Sequence, residues 1–245
     1  MACRLISSLL LSLLAGLAID HARLSAKSGD PMSPPILQRF LTIDDPTPFN
    51  YRALRHLDAQ NDRFDSTAWM DVWTEADQTG GFRFQIVGEG GSEYIRTRVF
   101  RATLETEKKM WASGAPDRAA VTLDNYVFED GGAQPDGLAR LDVKPRRKDV
   151  LLVDGSIFLR PEDGDLVRME AKLSKSPSFW TRHVQIVRWY QRFVGVRMPV
   201  ALESVANVMV AGRSTFRMSY EYETVNSQRV GSPQPRALTA RASQP

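Results

Sequence analysis

One cysteine stands among the 245 residues, Cys3, so no disulfide can form within the chain and none can substitute for a hydrophobic core. Histidine is nearly as scarce, at three, and no two of them fall at a metal-ligand spacing, so no metal site is expected. There is no Gly-x-Ser-x-Gly elbow, no His-Glu-x-x-His and no Walker sequence. No catalytic residue and no cofactor are therefore assigned, and the chain does not read as an enzyme. Carboxylates such as Asp44-Asp45 and Glu162-Asp163-Asp165 fall where turns are expected. A glycosidase-like pair drawn from distant parts of the chain is the catalytic alternative this leaves.

A charge excess is lacking too. Lys and Arg number 32 against 29 Asp and Glu, and the two signs are interspersed, which excludes a nucleic-acid partner. With 42% hydrophobic residues and a mean hydropathy of −0.31, the chain is neither disordered throughout nor a polytopic membrane protein.

The long apolar run that does occur is Leu5 to Ile19, behind the single positive charge of Arg4. At about fifteen residues it is short of the ~20 that span a bilayer, and it has the shape of a secretory signal peptide. Gly16, Ala18, Ala22 and Ala26 offer cleavage positions. Cys3 precedes the run, whereas the acylated cysteine of a bacterial lipoprotein follows it. The expectation is a periplasmic protein that is exported but not itself lipidated. Residues 1–26 are read as signal peptide, 27–35 as a flexible leader, 36–226 as one domain and 227–245, rich in Pro, Gln, Ser, Arg and Ala, as a disordered tail.

Within the domain, Ile36 to Leu41 and Asn50 to Ala59 read as short helices. The second rests on the three-residue steps of Tyr51, Leu54 and Leu57, with Asn50 as cap and His56 as a solvated or half-buried side chain. Thr67 to Ala76 reads as a strand with Trp69, Asp71, Trp73 and Glu75 on one face and Met70, Val72 and Ala76 on the other. Phe82 to Val87 completes a hairpin with it. Gly88 to Ser92 then leads into a helix, Glu93 to Trp111. The dinucleotide fingerprint needs glycine where Glu93 stands, and no Gly-Lys-Ser/Thr follows, so this is a turn capped by Ser92.

From Val121 on, strands dominate: Val121 to Phe128, Leu138 to Val143, Ser156 to Leu159, Leu166 to Leu173, Arg182 to Phe193, Val200 to Val210 and Phe216 to Glu223. The basic cluster Arg146-Arg147-Lys148 falls in a connection and reads as a solvated loop, with an anion or lipid-headgroup contact as the other reading. Eight to eleven strands in hairpin order with two or three helices near the front predict a mainly β, α+β fold. Its form is a single curled antiparallel sheet, an unclosed β-barrel with helices on its concave side. An incompletely filled concave face is a site for apolar ligands. Its candidate lining is Trp69, Trp73, Trp111, Trp180, Trp189, Phe193, Phe216, Met218, Tyr220 and Tyr222.

The order of elements, together with Gly155-Ser156-Ile157-Phe158-Leu159, Gly164 to Glu170 and Phe216-Arg217-Met218-Ser219-Tyr220, resembles the superfamily of periplasmic lipoprotein carriers: LolA and LolB, the RseB-type envelope-stress sensors and the outer-membrane lipoprotein-sorting proteins. The resemblance covers about residues 36 to 225. It implies a half-barrel whose concave face, covered by helices, holds acyl chains of lipids or lipoproteins. It also implies a monomer that exchanges cargo with a membrane-anchored donor or acceptor, and a sensor of the RseB type is the alternative.

Overall fold

A computed structural model describes residues 34–113, 120–175, 181–209 and 212–236. The expected signal peptide with Cys3, most of the leader, Trp180 and the last nine residues lie outside these.

Helix α1, Pro35–Thr42, opens the fold with proline at its first position, where the missing N–H costs nothing, and buries Leu37 and Phe40. The following strands are β1 Asn50–Asn61, β2 Ser66–Asp77 and β3 Gly81–Gly91. A second helix comes in three parts, Glu93–Ile95, a π-helical turn Arg96–Arg101 and Ala102–Ser113, together called α2. Then come β4 Tyr126–Ala133, β5 Ala139–Pro145, β6 Val153–Leu159, β7 Leu166–Leu173, β8 Thr181–Phe193, β9 Val196–Val208, β10 Gly212–Val225 and the short β11 Gln228–Arg229.

These strands form one antiparallel sheet in the order β3-β2-β1-β10-β9-β8-β7-β6-β5-β4, with β11 beside β10. The N-terminal hairpins thus join the sheet through β1 against the last long strand, β10, and β3 and β4 are left as free edges of an unclosed sheet. Bulges at Arg52/Ala53, Asp71/Val72, Phe158/Leu159 and Trp189/Tyr190 add the local twist that lets so wide a sheet bend.

The expected helix at Asn50 to Ala59 is a strand, β1. Its period is two: Tyr51, Ala53, Arg55 and Leu57 are buried on one face, and Arg52, His56 and Asp58 are less buried on the other. Arg55 disguises the alternation by standing at a core position, and the extra burial of Leu54 completes the false helical stripe. Smaller differences are that β3 runs on through the glycines to Gly91, and that β4 is Tyr126–Ala133 where the sequence reading has Val121 to Phe128.

The tail reading also changes. After the tight turn at Asn226 and Ser227, both at positive φ, residues 228–236 run back along β10 and onto the sheet. Arg236 ends this strap on Asp71 and Asp58, with Nε 2.7 Å from Asp71 and Nη1 3.0 Å from Asp58. A composition poor in apolar residues is here held by polar contacts instead.

Two cores share the helix-covered face. One lies under α2 and unites β3, β2, β1, β10, β9 and β8 through residues such as Phe82, Val72, Leu57, Phe100, Leu104 and Met218. The other lies under α1 and unites β4 to β8 around Phe40, Tyr126, Leu141, Ile157 and Leu166. Gly164 admits α1: at φ +77° it suits glycine alone, and a Cβ there would come within 2.8 Å of Arg39 Cβ.

Candidate functional site

The helix-covered face is built by parity. Strand residues of one parity point under the helices, so β10 contributes Phe216, Met218, Tyr220 and Tyr222, all buried, as the alternation in sequence predicts. Phe100 of α2 meets Phe216 at a ring distance of 6.0 Å, and Trp111 meets Tyr51 at 6.5 Å. Phe193 packs against Tyr222 at 5.3 Å. Six of the ten candidate residues, Trp111, Phe193, Phe216, Met218, Tyr220 and Tyr222, therefore come together on this face.

Trp69, Trp73 and Trp189 do not join them. Trp69 and Trp73 share the parity of Asp71 and Glu75, opposite to the buried Met70 and Val72, and so lie on the outer face. There Arg236 sits over the Trp69 ring at 5.3 Å and Arg52 over Trp73 at 4.2 Å. Trp189 alternates with the buried Arg188 and Tyr190 and also faces outward. Large aromatic area drew these residues into the candidate set, but strand parity decides their side.

Sequence reasoning missed the charged residues of the interior. Arg55 is fully buried and makes a two-point ion pair with Glu107 of α2, at 2.6 and 2.8 Å. It also donates to the Tyr51 hydroxyl at 2.9 Å and lies 4.7 Å from the centre of the Tyr220 ring. Desolvation acts to lower the Arg55 pKa, but the adjacent Glu107 carboxylate outweighs it and holds the guanidinium charged. Burial is also the main reason the Tyr51, Tyr220 and Tyr222 phenols are pushed above their ordinary value, and Tyr126 is pushed up to about 12. A signal was present: Arg55 follows Tyr51 and Ala53 in apolar parity, just as Arg188 follows Val184 and Ile186.

Under α1, Asp45 and Asp165 converge on Arg197 and Arg192, with Arg192 Nη2 2.7 Å from Asp165. Arg197 also lies over the Phe40 ring at 5.7 Å. The segment after α1 is thus pinned to the β8–β9 hairpin by charge. At the other helix, Glu89 of β3 holds Arg96 at 2.7 Å and Arg101 at 2.9 Å. These two arginines bound the π turn, in which residues five apart return to one side.

On the outer face His56 stands between two carboxylates, Nδ1 2.9 Å from Asp71 and Nε2 3.2 Å from Glu221. Both ring nitrogens are engaged, and Asp71 is further occupied by Arg236. Among the described residues, no cluster of His, Cys, Asp and Glu could hold a metal ion.

No family model and no curated protein matches the sequence. Among solved structures, a DUF1329 family protein from Desulfovibrio piger is 10% identical with a TM-score of 0.40, covering 76% of this chain and 88% of its own. A putative outer membrane lipoprotein-sorting protein domain from Vibrio parahaemolyticus is also 10% identical at 0.40, covering 77% and 91%. A LolA superfamily protein from Nitrosomonas europaea is 9% identical at 0.38, covering 83% and 94%. Likeness at this level does not extend to individual side chains, and the structural neighbours of this chain are thus a DUF1329, a lipoprotein-sorting and a LolA superfamily protein.

Proposed function

We propose that the protein is an exported, periplasmic binder or carrier of the acyl chains of lipids or lipoproteins, not itself lipidated and not an enzyme. The observation that carries this reading is the construction of the helix-covered face. Apolar and aromatic side chains line it from β3 to β4, and what covers them is the two helices α1 and α2. A cover made of side chains can be exchanged for a ligand of the same chemistry. An acyl chain that takes the place of Phe100, Leu104 and Trp111 against β10 and β1 would recover about 0.8 kcal/mol per buried methylene. The signal-peptide pattern of Met1 to Ala26 supports export. The lining is Trp111, Phe193, Phe216, Met218, Tyr220 and Tyr222, and cargo passes to or from a membrane-anchored protein.

Native mass spectrometry of the protein purified from periplasm, followed by lipid extraction, tests this. Bound acyl species, or displacement of a fluorescent fatty acid by oleate, are expected. Protein that is consistently empty and fails to bind the fluorescent fatty acid contradicts the reading.

A further inference from the structure

In an antiparallel sheet every second connection falls at the same end. At one end of this sheet stand the β1–β2 turn, the start of α2, the turn before β4, the β5–β6 connection and the ends of β7 and β9. Register ties them together: Asn61 lies opposite both Ser66 and Ser214, and Val208 opposite both Gly212 and Thr181. The N–H of Asp62 also donates to the Arg213 carbonyl at 3.1 Å, and Arg146 Nε to the Leu123 carbonyl at 2.7 Å. In a curled sheet these connections form one rim.

The two rims differ in surface chemistry. Phe64, Tyr94, Leu123 and Met209 are exposed on the first, Phe64 by 61%, whereas among the described residues the opposite rim exposes Phe49 and Val194. Charge differs in the same sense. Around the β5–β6 connection Arg146, Arg147 and Lys148 are exposed, and the Ser174 hydroxyl, which donates to the Asp149 carbonyl at 2.7 Å, brings the exposed Lys175 beside them. These four cations face two carboxylates, Asp124 and Asp149. Arg147 is engaged by Asn125 and Asp149, but among the described residues Arg146 and Lys148 pair with no carboxylate. The neighbouring Lys144 and Lys172 are taken up by Glu129 and Asp154. Elsewhere on this rim Arg63 and Arg213 are offset by Asp62, Asp65 and Glu93, so the positive excess is local to the β5–β6 connection. On the opposite rim Arg83, Arg160, Arg192 and Arg197 are matched by Asp77, Asp163, Asp45 and Asp165. There the charges left over are acidic, Asp44 and Glu162.

We infer that the first rim docks on an anionic bilayer surface, with Arg146, Lys148 and Lys175 against head-group phosphates and Phe64, Leu123 and Met209 in the interfacial layer. Cations beside exposed apolar side chains are the combination that holds a protein at such a surface. Spread favours the bilayer over a peptide: from Phe64 beside β2 to Leu123 beside β4 is eight strand spacings, about 38 Å along the sheet. A bound peptide would reach one part of the rim, and a planar surface meets all of it. The inference goes beyond the carrier reading, since it concerns where the protein docks and stands whatever the helix-covered face holds.

The test is co-sedimentation of the protein purified from periplasm with vesicles of phosphatidylcholine, alone or mixed with phosphatidylglycerol. Binding to the anionic vesicles is expected to be about tenfold tighter than to the neutral ones and to weaken as salt is raised. Arg146→Gln combined with Lys148→Gln should lower that affinity about tenfold, and Phe64→Ser combined with Met209→Ser about fivefold. Phe49→Ser, on the opposite rim, should leave it unchanged. All these side chains are exposed, so each variant is expected to melt at the parent temperature. Each should also bind a fluorescent fatty acid as the parent does, which separates a failure here from a failure of the carrier reading. Equal affinity for the two kinds of vesicle, no binding to either, or rim variants that bind as the parent does overturn the assignment. So does an in-cell crosslink to one protein that the rim variants lose while vesicles are not bound, which would give the rim to a protein partner.

Discussion

At the scale of single residues, the interior is unusual for the charge it contains. Arg55 and Glu107 are both essentially out of solvent and carry the join between sheet and helix. Truncating one partner strands the other's charge, at a cost of roughly 3–5 kcal/mol, while an apolar pair of similar volume is often neutral. Arg55→Met and Glu107→Leu should each lower the unfolding free energy by about that range, with the double substitution recovering much of the loss. Urea denaturation of the four proteins measures this, and purely additive losses would show that the pair is not coupled. Arg55 also explains what could be read from the sequence and what could not. Strict alternation in Phe216 to Glu223 gave β10 and its buried parity directly, because every core position there is apolar. In β1 a charge occupies a core position, and nothing in the local sequence shows that Glu107, 52 residues away, neutralises it.

At the scale of elements, α2 is held by its buried Ile95, Phe100 and Leu104 together with directed polar contacts, and the C-terminal strap by polar contacts at Arg236. Glu89 bridges Arg96 and Arg101 across the π turn, in partly exposed positions where ion pairs contribute about 1 kcal/mol or less. Glu89→Ala should therefore leave global stability nearly unchanged while speeding amide hydrogen exchange in α2 relative to the strands. Uniform exchange across α2 and β10 would contradict the picture of a separately held cover. The strap makes the opposite demand. Arg236 is part-exposed but caps the buried Asp71, so Arg236→Ala should cost roughly 1–2 kcal/mol and expose the outer face near Trp69. A blue-shifted, unaltered tryptophan spectrum in that variant would count against the contact. The sequence located α2 through its Ser92 cap. It did not reveal the strap, because composition reports the lack of apolar residues and not the acidic cleft, formed by β1 and β2, that receives Arg236.

At the scale of the whole molecule, an open antiparallel sheet with helices on one face was legible from hairpin order and strand count, whereas its division into two cores and the sides on which Trp69, Trp73 and Trp189 fall were settled only in the assembled sheet. The buried tyrosines give that assembly a signature in alkali. Tyr126 titrates at 10.0 when unfolded and at about 12 when folded, because burial disfavours the phenolate. Between those values the unfolded chain has released a proton that the folded one keeps. Stability is therefore complete below pH 10 and falls as pH rises, by about 1.4 kcal/mol per pH unit for this group. Tyr51, Tyr220 and Tyr222 are shifted in the same direction and steepen the loss. Urea melts from pH 8 upward should show it, with Tyr126→Phe reducing the slope above about pH 10; a flat profile would contradict the burial of these phenols.

The most direct measurement is photo-crosslinking of a diazirine-bearing fatty acid to the full chain, with the labelled peptides identified by mass spectrometry. Binding under the helices predicts label on the Phe216 to Tyr222 strand and on Phe100 to Trp111 of α2, abolished by excess oleate. Label confined to the outer face around Trp69 and Trp73, or no label that oleate displaces, would contradict it.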